Sequence, residues 1–277
     1  PRSTLFPYTT LFRSTLDTSH DWIVERTGIH QRNIGGSTAE LSARAGKAAL
    51  EMAGVDPADI DALVLSTTTP DRTVPATSAT VQQLLGLKCG AFDVNAACSG
   101  FAYALVQGHG MIAMGAKKVL VIGTDTLSRI TDWSDRNTAV LFADGSGAVV
   151  LEASSGRGQL LGWDLDADGS AEKYLYAELG GTIQMEGKEV FRRAVRIMVD
   201  SATKSMNHAG VTADQIALVV PHQANVRIIQ AACERLGVPM DKAAVVLHRT
   251  GNTSSASIPL ALVDALDSGR VKKCDLV

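Results

Sequence analysis

The sequence predicts an α/β fold made of two fused halves, and three observations carry that prediction. From Asp17 onward, segments with apolar residues at helical spacing alternate with short apolar runs of strand length. Three of those runs end in a polar residue just before a helix: Ala91-Phe92-Asp93-Val94 before Cys98, Ile216-Ala217-Leu218-Val219-Val220 before His222, and Ala243-Ala244-Val245-Val246-Leu247 before Asn252. At 277 residues, 45% hydrophobic and 20% charged, the chain can bury about 75% of its unfolded surface, enough for one large core or two fused ones.

The elements follow in order. Pro1 to Ser14 repeats Thr-Leu-Phe at 4–6 and 10–12 with neither period, and is set aside as a leader foreign to the fold, residues 1–14. The first half, 15–160, reads as helix 38–53, strand 61–68, helix 76–86, strand 91–94, helix 98–114 and strand 118–124. Phe101, Ala102, Leu105 and Ile112 recur near helical spacing in the fifth of these. Residues 139–151 read as paired strands around a tight turn, Asp144-Gly145-Ser146-Gly147, which lacks the Lys-Ser or Lys-Thr of a phosphate loop. The second half, 161–277, repeats the logic: helix 187–209, strand 216–220 stopped by Pro221, helix 224–236, strand 244–248, helix 254–268, and a strand beginning at Leu276. Two such halves put parallel strands back to back behind shared helices.

Composition excludes several functions. A net charge of −3 and a pI near 6.1 leave no general charge for nucleic acid. The longest uncharged stretch, Val94 to Ala116, is long enough for a membrane span, but its glycines at 100, 108, 110 and 115 with Asn95, Gln107 and His109 fit a helix buried in a globular core. No signal peptide is evident. The cysteines at 89, 98, 233 and 274 have neither C-x-x-C spacing nor disulfide density, so a reducing cytoplasm is expected and Cys89, Cys233 and Cys274 are expected to be inert. No cluster has metal-ligand spacing.

Cys98 draws attention because it stands where a strand ends and a helix begins. The unpaired N–H groups and dipole of a helix N-terminus can lower a thiol from a pKa of about 8.5 to roughly 3.5–7.5, making a nucleophile. Ala96, Ala97, Ser99 and Gly100 let a substrate approach closely. Taken singly, Cys98 could be a structural cysteine, His222 a satisfied polar residue, and Asn252 or Thr253 a helix cap. Taken jointly, they point to catalysis, since parallel strands bring their carboxyl ends to one cleft.

Three motifs in order, Asn95-Ala96-Ala97-Cys98-Ser99-Gly100-Phe101, Val220-Pro221-His222-Gln223-Ala224-Asn225 and Gly251-Asn252-Thr253-Ser254-Ser255-Ala256-Ser257, resemble β-ketoacyl-acyl carrier protein synthase III, the initiating condensing enzyme of bacterial fatty-acid synthesis. Thr18 to Ile29 matches the family's early segment, and the similarity spans Asp17 to Val277. The resemblance implies a thiolase-like fold in layers α-β-α-β-α, truncated at the C-terminus, and a cytoplasmic homodimer. It implies that Cys98 takes an acyl group from acyl-coenzyme A and that His222 and Asn252 bind the thioester carbonyl of malonyl-acyl carrier protein. No cofactor is implied, both thioesters being substrates. It also assigns Trp22, Arg26, Arg136 and Asn225 to coenzyme A, and Arg192, Arg196 and Arg227 to docking of the acidic carrier protein.

Four departures from the family pattern stand out: a carboxyl end before the usual glycine-rich loop and final strand, a shorter stretch between Asp168-Gly169-Ser170 and Met185-Glu186-Gly187, Thr250 in place of an aromatic or histidine, and the replaced start of the first strand. They imply a fragment of a longer gene product. Three rivals remain. Papain-like proteases share the order Cys, His, Asn, though not the residues around Cys98. Condensing enzymes of secondary metabolism, making quinolones or polyketide starters, share the triad itself. A non-catalytic binding remnant is the third.

Overall fold

The computed structural model describes residues 16–155 and 159–277, so the expected leader lies outside the described residues. The first helix, α1 (His20–Thr27), is capped by Ser19, whose side chain accepts the Trp22 amide. Helix α2 (Thr38–Ala53) carries a full capping box between Ser37 and Glu40. Then come β1 (Ala62–Ser66), α3 (Thr77–Leu85), β2 (Gly90–Val94), α4 (Gly100–Ala113) and β3 (Lys118–Thr126), followed by the short α5 (Arg136–Ala139) and β4 (Asp144–Glu152). The sheet order is β2-β1-β3-β4, with β1 parallel to both neighbours and β4 antiparallel to β3.

Alternation along the central strands supplies both faces of this sheet. Ala62, Val64, Val119 and Val121 pack with Phe101 and Ala104 of α4, whereas Leu63, Leu65, Leu120 and Ile122 pack with Ala39 and Leu50 of α2 and Val81 of α3. Burial on two faces explains why these strands read as continuous apolar runs. The uncharged stretch 94–116 thus becomes a helix of the core, and among the described residues no helix is long and apolar enough to cross a membrane.

The structure departs from two expectations. Residues 139–151 do not form paired strands around a turn; 136–139 is helical, and 144–152 is one strand laddered to β3, Gly147 opposite Gly123. Its glycines serve close approach rather than turning. A Cβ on Gly145 would lie 2.8 Å from Thr253 Cγ2, and one on Gly147 2.8 Å from Pro259 Cβ, so bare backbone here admits the segment that carries Asn252.

The second departure lies in the other half. After a two-residue hairpin, β5 (Leu175–Tyr176) and β6 (Gln184–Met185), come α6 (Gly187–Ala209), α7 (Val226–Leu236), α8 (Leu247–Thr250) and α9 (Ser257–Asp267). The strands expected at 216–220 and 244–248 reduce to one parallel bridge, Val219 to Ala243. The reason is a buried side chain. Gln223 accepts the Val246 and Leu247 amides at Oε1 and donates from Nε2 to the Pro221 and Ala244 carbonyls, so backbone groups that a ladder would pair are paired by Gln223 instead. Helix α9 seats Ala261 and Ala265 against Leu218, Ala244 and Val246, while Ile258 reaches the core behind α4.

Candidate active site

Cys98 sits in a 3₁₀ turn, Ala97–Ser99, between β2 and α4. Ala97 has φ 47°, the left-handed region that a residue with a Cβ occupies at a cost of order 1–2 kcal/mol, and this kink presents the next side chain. Gly100 is needed for a different reason: a Cβ there would overlap Ser66 Oγ at the end of β1.

The thiol's acidity is the reverse of the expectation. Burial pushes Cys98 up to about 11; the Ser254 hydroxyl, donating to Sγ at 3.7 Å, acts to lower it, and the buried charge of Asp125 adds to the rise. Desolvation of a thiolate outweighs what the helix start can return. At pH 7 the thiol is therefore the prevailing form.

His222 leaves the Val219 bridge through Pro221, and Gln223 behind it is fully buried. Its Nδ1 lies 2.7 Å from Ser257 Oγ, and burial lowers the imidazole to about 4, so the ring is neutral at pH 7. Asn252 follows Gly251, whose φ of 72° falls in the left-handed region and whose missing Cβ would otherwise lie 2.8 Å from Ala143 Cβ. The Asn252 amide donates to the Leu141 carbonyl, the Ala143 amide donates to the Asn252 carbonyl, and Oδ1 accepts the Ser254 amide at 3.0 Å. With Oδ1 engaged, Nδ2 remains the donor end of the side chain.

The three predicted residues come together. Cys98 and His222 line one cavity of about 890 Å³ with Tyr103, Asp166, Arg196 and Lys204, and Asn252 joins through Ser254, bonded to both Asn252 and Cys98. Sequence reasoning missed the supporting set. Ser255 donates backbone N–H and Oγ–H to Asp125 Oδ2, at 3.0 and 2.8 Å, while Asp125 Oδ1 collects the Thr68 amide and the Thr67, Thr68 and Thr69 hydroxyls. The serine-rich run after Asn252 was the available signal, because buried hydroxyls need partners.

Around this centre, the guanidinium carbons of Arg26 and Arg136 each lie 4.7 Å from the Trp22 ring centroid. Asn225 caps α7 through the Arg227 amide and donates Nδ2 to the Arg26 carbonyl at 3.0 Å, which joins it to the same corner. Arg192 and Arg196 line a groove of about 350 Å³ between α6 and α7 with Phe191, Val195 and Ala231. Arg193 and Arg235 line that groove as well. Arg227 stands apart from it, 4.0 Å from Glu25 of α1. Arg196 lines both groove and cavity. Among the described residues no group of three His, Cys, Asp or Glu side chains is placed to hold a metal ion.

Models of the 3-oxoacyl-[acyl-carrier-protein] synthase III family and of its C-terminal region match residues 92–169 and 206–277. The chain is 50% identical over 277 residues to the β-ketoacyl-[acyl-carrier-protein] synthase III of Erythrobacter litoralis, covering 95% of this chain and 86% of that one. It is 48% identical over 281 residues to its counterpart in Sinorhizobium medicae, covering 95% and 87%. The solved 3-oxoacyl-[acyl-carrier-protein] synthase III of Aquifex aeolicus superimposes with a TM-score of 0.96 at 43% identity, over 99% of this chain and 90% of that one. The priming β-ketosynthase of the R1128 polyketide pathway follows the same course with a TM-score of 0.88 at 36% identity, over 98% and 86%.

Proposed function

The chain belongs to the β-ketoacyl-acyl carrier protein synthase III family, and from that membership we propose how its residues divide the reaction. The fold is thiolase-like, and the activity is the condensation of an acyl-coenzyme A with malonyl-acyl carrier protein that initiates fatty-acid synthesis. It is an acyltransferase.

In the first half-reaction Cys98 Sγ attacks the acyl thioester carbonyl, the bond to coenzyme A sulfur breaks, and the thiol proton departs with coenzyme A. Trp22, Arg26 and Arg136 hold the nucleotide end, an aromatic ring and guanidinium planes suiting base and phosphates, and Asn225 lies beside them. In the second, the malonyl group loses carbon dioxide and its thioester oxygen becomes an enolate oxyanion. His222 and Asn252 supply two fixed N–H donors to that oxygen. The enolate carbon then attacks the acyl carbonyl and expels Cys98 as thiolate, with the Ser254 hydroxyl already directed at Sγ.

One observation carries this assignment: Ser254 bonds Asn252 and Cys98 at once, while His222 lines the same cavity as Cys98. His222→Ala and Asn252→Ala should each lower condensation by about 10²–10³-fold, the usual cost of one oxyanion donor, and leave acylation of Cys98 within a few-fold. Equal loss of both half-reactions would reject the division of roles.

The carrier protein docks on Arg192 and Arg196, with Arg227 at the coenzyme A corner. A second copy pairs along β2, an edge strand that leaves Phe92 exposed, and reaches the exposed Val74. The four cysteines are all free, which supports a reducing, cytoplasmic setting. The reaction needs no cofactor beyond its two thioester substrates. The halves 15–160 and 161–277 contribute the nucleophile and the two donors respectively.

A further inference from the structure

We propose that Ser257 is a positioning residue that sets the tautomer of His222, leaving Nε2–H as the donor directed at the substrate oxygen. This rests on the oxyanion role given to His222 above and adds what makes the ring a donor from that nitrogen.

The 2.7 Å distance between His222 Nδ1 and Ser257 Oγ does not by itself fix which atom donates. A second bond does. The Gln223 backbone N–H donates to the same Oγ at 3.2 Å, and Ser257 is 1% exposed. Among the described residues, Nδ1 is the one acceptor within reach of the Ser257 hydroxyl. Were Nδ1 to carry the hydrogen, Ser257 Oγ would face two donors and its own proton would be buried without an acceptor, an arrangement that loses the full desolvation of that group. With Ser257 donating to Nδ1, all partners are satisfied, and a neutral imidazole that accepts at Nδ1 holds its hydrogen at Nε2.

Rigid elements fix the direction. Gln223 adjoins His222 and is held by four side-chain hydrogen bonds, and Ser257 opens α9 only three residues after Ser254. One short segment therefore serves three groups: Ser254 bonds Cys98, Ser255 bonds Asp125, and Ser257 bonds His222. Ser257 meets no reacting atom; it acts through the ring.

The test combines ring ¹⁵N shifts of His222 in histidine-labelled protein with the two half-reactions measured separately in the wild type, Ser257→Ala, Ser257→Thr and His222→Ala. The wild-type ring should be the Nε2–H tautomer. Ser257→Ala should shift it toward Nδ1–H and slow condensation by about 10–100-fold, part of the cost of losing an oxyanion donor, while acylation of Cys98 stays within about twofold. Ser257→Thr, which keeps the hydroxyl, should restore the tautomer and most of the rate. A wild-type Nδ1–H ring, or Ser257→Ala with both tautomer and condensation unchanged, overturns the proposal. Normal condensation in His222→Ala would instead overturn the donor role beneath it. If Ser257→Ala fails to fold, the wild-type spectrum and the threonine variant still decide.

Discussion

The segment that delivers Cys98 and those that deliver His222 and Asn252 are built differently. Cys98 stands at the end of a four-stranded sheet whose register is set by backbone hydrogen bonds and whose two faces are buried under α2, α3 and α4. His222 and Asn252 stand at the exits of segments joined by one bridge and by the side chain of Gln223. A ladder of many backbone bonds tolerates the change of any one side chain. A half organised by single buried side chains does not, so the two proposed donors should be far easier to displace than the proposed nucleophile.

The largest test of that contrast is Gln223→Leu, which deletes four buried hydrogen bonds and leaves backbone groups unpaired. Unfolding in urea should show a loss of about 3–5 kcal/mol, with condensation lost before acylation in the folded fraction. A loss below about 1 kcal/mol would mean that the second half does not depend on this side chain.

Next in size is a pH effect. Burial lowers His222 from 6.5 to about 4, so between those values the unfolded chain binds a proton that the native ring refuses. Stability is therefore complete above pH 6.5 and falls as pH drops toward 4, by up to about 3 kcal/mol. His222→Gln should flatten that part of the profile, measured as the difference between the two unfolding curves; parallel curves would deny the burial.

Gly123→Ala probes the seam between the two regions. Its Cβ would overlap the Ser255 carbonyl oxygen, and the backbone there cannot yield without moving Ser254 from Cys98. A loss of about 1–3 kcal/mol, typical of overpacking, is expected together with slower condensation. An unchanged midpoint would show the seam to be compliant. The smallest effects belong to the groove: Arg192→Gln and Arg196→Gln should each raise KM for the carrier protein only a few-fold, about 0.5–1 kcal/mol, more at low salt than at high, with KM for acyl-coenzyme A unchanged. An effect independent of ionic strength would remove these residues from docking.

Much of the candidate site is legible because the proposed chemistry needs polar residues where apolar runs stop. Cys98, His222 and Asn252 announced themselves that way, and α6 begins and ends at the residues its apolar periodicity marked, 187 and 209. What was not legible depended on distant partners. Gly145 and Gly147 read locally as a turn, but the reason for them is Thr253 and Pro259, more than a hundred residues away. Apolar runs at 216–220 and 244–248 read as strands, and only the position of Gln223 shows where their hydrogen bonds go. The helix start at Cys98 suggested an acidic thiol, whereas burial, invisible in a motif, makes it a weak acid. Arg193 and Arg235 face one groove only once α6 and α7 are packed together.

In the proposed division of labour one sulfur carries the acyl group while the donors serve the later step. Intact-mass measurement after incubation with acetyl-, isobutyryl- and octanoyl-coenzyme A tests it most directly, comparing the wild type with Cys98→Ser, His222→Ala and Asn252→Ala. A gain of a single acyl group is expected in the wild type and in both donor variants, and none in Cys98→Ser. Acylation that persists in Cys98→Ser, or that maps to Cys89, Cys233 or Cys274, would contradict it.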